Sequence, residues 1–226
     1  TDGNGYAKLP AGRKTENWTF ECWVQGDNTP GQEGAILSKG NSESPGTLEL
    51  FYVTDESGAP RIEFRSHLET LATPAGGIEP GAWHHVASTR HRNLGHLRLV
   101  IDGQIVGTAS AEDVASWPGL PTYIGVRIAE GDTSKFFDGH VEEIRLWNKS
   151  RTLAEIQDNR RKRLDVAKWP SLNVHVPFET AAIDPANGLP TMTLAPVGLV
   201  CTVRIPSAGC RWTVSRLRGS LAVTAI

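Results

Sequence analysis

The 226-residue sequence contains only three cysteines and one methionine. Cys22, Cys201 and Cys210 are too few for a disulfide scaffold, and no CxxC pair occurs, so a zinc site is not expected. Cys201 and Cys210 flank Pro206 and Gly209 at a spacing that a hairpin bridge can close; two free thiols are the alternative. Cys22 alternates with Phe20 and Val24, which points to a buried, inert thiol. An excess of charge of one sign is also missing: 23 basic and 25 acidic residues leave a net charge of −2. That balance removes the broad attraction to nucleic acid or an anionic surface. No apolar run approaches the roughly 18 residues that a membrane-spanning helix needs. Nucleophile-elbow, His-Glu-x-x-His and phosphate-cradling motifs are absent as well, so no catalytic residue is assigned and no enzyme is expected.

Turn residues, by contrast, are plentiful, with 23 glycines and 14 prolines. They separate short runs of period-two alternation, the signature of strands with one buried face. Ile62 and Phe64 oppose Arg61, Glu63 and Arg65; Leu97, Leu99 and Ile101 oppose His96, Arg98 and Val100. The second of these runs meets Asp102-Gly103, a strong hairpin signal, and returns through Gln104-Ile105-Val106. The pattern predicts an all-β, antiparallel two-sheet sandwich. One helix near 152–163 is expected, opened by a Thr152…Glu155 capping box, with Leu153 and Ile156 on its apolar edge. Arg160 to Arg163 crowd its far end, where cations suit the helix dipole, and are read as a solvated helix end. The chain starts at Thr1, which suits a processed secretory protein or an excised segment.

Three stretches resemble the laminin G-like, concanavalin A-like superfamily, in its bacterial and pentraxin-related branch. They are Trp18–Val24, Trp83-His84-His85-Val86-Ala87 with Leu97–Gly103, and Phe137–Asn148 followed at once by the short helix. The resemblance covers roughly residues 1–165 and implies a jelly roll, one sheet of which curves into a shallow concave face. It divides the chain into a laminin G-like domain at 1–168 and a β segment at 169–226 that extends or completes the sandwich. His84-His85 fits a structural signature of the family, and Trp147 is expected to pack against a sheet.

Enzymes of this fold that cleave laminarin-like glucans carry Glu-x-Asp-x-Glu on one strand, because alternate residues share a face. Glu130-Gly131-Asp132 lacks the third acid and reads as a loop, while Glu142 and Glu143, being adjacent, are expected on opposite faces. The Gln-x-His strand of alginate-lyase jelly rolls is missing too.

The resemblance therefore implies a secreted, extracellular recognition module whose partner is a glycan or glycoprotein. A protein-binding adhesion module or homo-oligomer is the main alternative, and a glycosidase or lyase with unfamiliar catalytic residues the second. Sugar recognition draws on aromatic stacking and planar polar groups, for which Trp23, Arg61, Arg65, His67 and His91 are the candidates. Calcium is the candidate cofactor, with Asp2, Asn4 and Asp138 as ligands; turn residues satisfying their own backbone are the alternative reading.

Overall fold

The computed structural model describes residues 6–9, 15–40, 47–66, 69–110, 120–129, 132–162, 164–176, 202–204, 211–217 and 220–225, the last three stretches through their strand pairing alone. Expectations for Asp2, Asn4, His67 and the Cys201–Cys210 pair fall outside these residues.

The first strands are β1 (Tyr6–Leu9), β2 (Trp18–Gly26), β3 (Glu33–Lys39), β4 (Leu48–Thr54), β5 (Pro60–Ser66) and β6 (Thr70–Ala72). Then come β7 (His84–His91), β8 (His96–Ile101), β9 (Gln104–Ser110), β10 (Thr122–Ile124), β11 (Arg127–Ala129), β12 (Asp132–Ser134) and β13 (Gly139–Trp147). Helix α1 (Leu153–Asn159) follows, then β14 (Leu172–Val176), β15 (Thr202–Arg204), β16 (Arg211–Leu217) and β17 (Ser220–Ala225). The strands other than β11 and β12, which pair with each other, build a jelly-roll sandwich of two antiparallel sheets, ordered β17-β16-β15-β1-β10-β3-β4-β5-β6 and β14-β13-β2-β7-β8-β9. The segment after residue 168 contributes to both, through β14 beside β13 and β15 beside β1. No helix among the described residues is long and apolar enough to cross a membrane.

Alternation places the core. Trp18, Phe20, Cys22 and Val24 of β2 join Leu97 and Leu99 of β8 and face Leu48, Leu50, Ile62 and Phe64 of the other sheet. The Trp18 and Phe64 rings meet across the gap at 6.1 Å. Asp102 and Gly103 form the two-residue β8–β9 turn with φ of 51° and 82°, the left-handed geometry that this dipeptide favours. Asp132–Ser134, read from the sequence as part of a loop, is instead a strand paired with β11.

Helix α1 covers part of the outer face of the six-stranded sheet. Thr152 and Glu155 form the expected capping box, and Ile156 packs on Ala87 and Val100. The helix ends at Asn159, short of the expected reach to 163, with Arg160 as its C-cap. Carbonyls near a helix C-terminus need outside donors. The sheet supplies them: Trp23 Nε1 donates to Arg160 O at 2.9 Å, and Arg145 donates to Asn159 O at 3.0 Å and Lys162 O at 2.7 Å.

Candidate functional site: a groove between the sheet and the end of the helix

One local irregularity shapes the site. Strand β13 pairs with β2 in one register from Gly139↔Gly26 to Glu142↔Trp23, then resumes at Arg145↔Glu21. The extra residue is absorbed at Glu143, which adopts φ of 52°, a left-handed conformation uncommon outside glycine. Val141 packs against the core before the bulge, and Ile144 and Leu146 belong to it afterwards. Glu142 and Glu143 therefore open on the same outer face, correcting the expectation that adjacency would part them.

Both carboxylates line a groove of about 700 Å³ beside the end of α1. Trp23 and Trp83 form its aromatic part, and Arg145, Arg160, Arg161 and Lys162 its cationic part. Trp83 is 36% exposed, with its ring 6.3 Å from that of His140. Trp23 is half-buried, held by its bond to Arg160 O and by edge contact with the His85 ring at 5.4 Å.

Glu143 accepts from Arg145 Nη2 at 2.8 Å and lies 2.9 Å from His175 Nε2. Burial pushes its carboxyl up, but the hydrogen bond to His175 and the charge of Arg145 outweigh this and hold it below the usual carboxylate range. Glu143 is thus a fixed anion inside a hydrogen-bonded cluster.

The other expected site residues are dispersed. Arg61 and Arg65 lie on the outer face of the nine-stranded sheet. Arg65 pairs there with Glu33 and Glu63 and stacks 4.3 Å from the Phe51 ring centre, while Arg61 bonds Glu63. Lys135 also pairs with Glu33, and Arg127 pairs with Glu49, so each of these cations already has a carboxylate partner. His91 is at the opposite end of β7 from the groove, beside His96, and its Nδ1 accepts from Leu94 N. Of the five expected carbohydrate contacts, Trp23 alone lines the groove among the described residues.

Asp138 borders a smaller cleft of about 370 Å³ with Asp27, Gln25 and His140. Its carbonyl accepts from Asp27 N, and Gln25 Nε2 donates to Gly81 O. Calcium takes six to eight oxygens. The described residues offer two carboxylates here and contain no group of three His, Cys, Asp or Glu suited to a metal, so they do not by themselves fit the ion. His84 and His85 serve different partners, Asp102 at 2.7 Å and Glu21 at 3.4 Å, which agrees with the structural role expected for them.

A two-sheet jelly roll with an aromatic and charged groove outside one sheet is thus the class of protein that fold and site define. Residues 1–157 match the sequence family described as the concanavalin A-like lectin/glucanases superfamily, and the chain belongs to that family. No curated protein matches it. Among solved structures it is similar to a Bacteroides ovatus ATCC 8483 protein for which carbohydrate binding has been proposed (17% identity, TM-score 0.64, 91% of this chain and 60% of that one). It is also similar to the heptameric SAP-like pentraxin of Limulus polyphemus (14%, 0.54, 70% and 76%). A third is the CBM40 module of the Ruminococcus gnavus IT-sialidase, bound to α2,3 sialyllactose (15%, 0.50, 64% and 83%). Identities this low speak to a shared fold.

Trp83 and the Glu142–Glu143 pair were not among the site residues expected from sequence. The Trp-His-His-Val-Ala stretch is visible as a family signature, but the exposure of its tryptophan follows from its place just before the first residue of β7.

Proposed function

We propose that the chain is a non-catalytic, extracellular recognition module that binds carbohydrate reversibly in the groove beside α1. The observation that carries this reading is the exposed ring of Trp83 in one groove with Trp23, bordered by a carboxylate and guanidinium groups. A sugar presents apolar C–H faces and a rim of hydroxyls; an indole matches the first, and planar charged groups match the second. Membership of a family of lectins and glucanases, and likeness to carbohydrate-binding modules, support the same reading.

The state of Glu143 supports recognition over hydrolysis. A general acid for glycoside cleavage needs a raised pKa and a free proton to deliver. Glu143 is held low and committed to Arg145 and His175.

A glycan array, run with calcium and with chelator and with Trp83→Ala beside the wild type, tests the proposal. Binding to a defined set of glycans that fails in the variant is the expected result. A blank array in both conditions overturns it, as does release of reducing ends from a polysaccharide panel. The paired calcium and chelator arms also decide whether the ion assists.

A further inference from the structure

We propose that the saccharide taken by the groove carries an acidic group, a carboxylate or a sulfate, which the basic run at the end of α1 receives. This rests on the carbohydrate reading above and names the ligand class for the same site.

Internal pairing leaves charge over in the groove. Glu143 is compensated by Arg145 and His175, and Arg145 is spent on Glu143 and on two backbone carbonyls. What remains on the groove wall is Glu142 against Arg160, Arg161 and Lys162. None of these three cations forms an ion pair among the described residues, although the chain as a whole is slightly acidic.

Arg160 is the most telling of the three. It is half-buried, its Nε has no hydrogen-bond partner among the described residues, and its guanidinium rests against the β8–β9 turn, where a Cβ added at Gly103 would lie 2.4 Å from Nη1. A partly desolvated cation without a counter-charge is costly, and an arriving anion relieves that cost more effectively there than in open water.

The run is also fixed in place, unlike an ordinary frayed helix end. The bonds from Trp23 to Arg160 O and from Arg145 to Lys162 O hold its backbone against the sheet. The backbone that carries the cations is thereby in place before any ligand arrives, which lowers part of the ordering cost of binding. Glu142 remains to accept sugar hydroxyls and to disfavour a second closely spaced anion. The groove thus fits one acidic residue flanked by neutral ones better than a dense polyanion.

Calorimetry with matched oligosaccharides tests this. The probes are oligogalacturonides against their methyl esters, sulfated against desulfated chondroitin oligosaccharides, and neutral cello-, xylo- and manno-oligosaccharides. At least one acidic probe should bind about tenfold more tightly than its neutralised counterpart, the size expected for a charge-assisted hydrogen bond. That preference should shrink as salt rises from about 50 to about 500 mM.

The double variant Arg161→Gln, Lys162→Gln alters two exposed side chains, so its melting temperature should be unchanged while the acidic preference falls severalfold. The two acidic series separate carboxylate from sulfate. Equal affinity for acidic and neutralised probes, or neutral oligosaccharides binding best, overturns the acidic-ligand inference and leaves the carbohydrate reading standing. Binding to no probe overturns both.

Discussion

Arg151 Nη1 donates to Glu21 Oε1 at 2.6 Å, and neither side chain is exposed to solvent. The pair fastens the outer layer to the six-stranded sheet. Arg151 stacks over Trp147 at 4.1 Å and approaches Trp169 at 5.7 Å, while its second nitrogen reaches Glu155 O inside α1. Its backbone N–H donates to Thr19 Oγ1 of β2. Helix α1, and with it the basic wall of the groove, is therefore held from both ends: by Arg151 before its first turn and by Trp23 and Arg145 after its last.

Removing one member of a buried ion pair strands the other charge. Arg151→Met should destabilise the fold by about 3–5 kcal/mol in denaturant titration. The double variant Glu21→Leu, Arg151→Met should recover part of that loss, because neither charge then remains. A single variant as stable as the wild type would remove the pair from its structural role.

Acid should unfold the protein through the same carboxylate. Burial pushes Glu21 up, but the adjacent His85 and the charge of Arg151 outweigh it, so its carboxyl titrates below the ordinary 4.5. A folded value below the unfolded one gives stability that is present above about 4.5 and is lost as pH falls through the folded value. Glu143 shares the direction and adds to the slope. The denaturant midpoint should be insensitive to these groups between pH 5 and 7 and decline in stronger acid, less steeply in Glu21→Gln. A wild-type midpoint unchanged down to about pH 3 contradicts this.

The Cys22 side chain is wholly buried, and burial, with the neighbouring Glu21, pushes its thiol far above the usual range. Thiolate is the reactive species. Peptide mapping after iodoacetamide should find Cys22 unmodified in the native protein and modified in denaturant; native labelling at that position would refute its enclosure.

Gly139 opens β13 with φ of 148°, and an added Cβ would stand 2.3 Å from Gln25 O. That obstacle is backbone, which cannot swing aside as a flexible side chain does. Gly139→Ala should therefore cost about 1–3 kcal/mol or more in thermal or chemical unfolding. A neutral effect would mean that β13 starts differently from the pairing described.

Much of the fold was legible because local and tertiary demands coincide. Ile62 and Phe64 alternate in the sequence and enter the core, Asp102-Gly103 makes the turn it advertises, and Thr152 with Glu155 caps the helix. The site was less legible. Alternation shows which residues share a strand face, but not which sheet the strand joins, so Trp23 and Arg65 looked equivalent and lie on different sheets. Nothing in Glu142-Glu143-Ile144 announces a bulge: a left-handed glutamate is fixed by the register of β2 on either side of it. The basic run reads locally as a solvated helix end, and only the long-range bonds from Trp23 and Arg145 turn it into a groove wall.

The groove's role is tested most directly by following tryptophan indole N–H signals by NMR while the glycan bound most tightly on the array is titrated in. The Trp83 and Trp23 signals should shift together and saturably, while those of Trp18 and Trp147, enclosed on the two faces of the six-stranded sheet, stay in place. Saturable glycan binding that leaves Trp83 and Trp23 unmoved would contradict it.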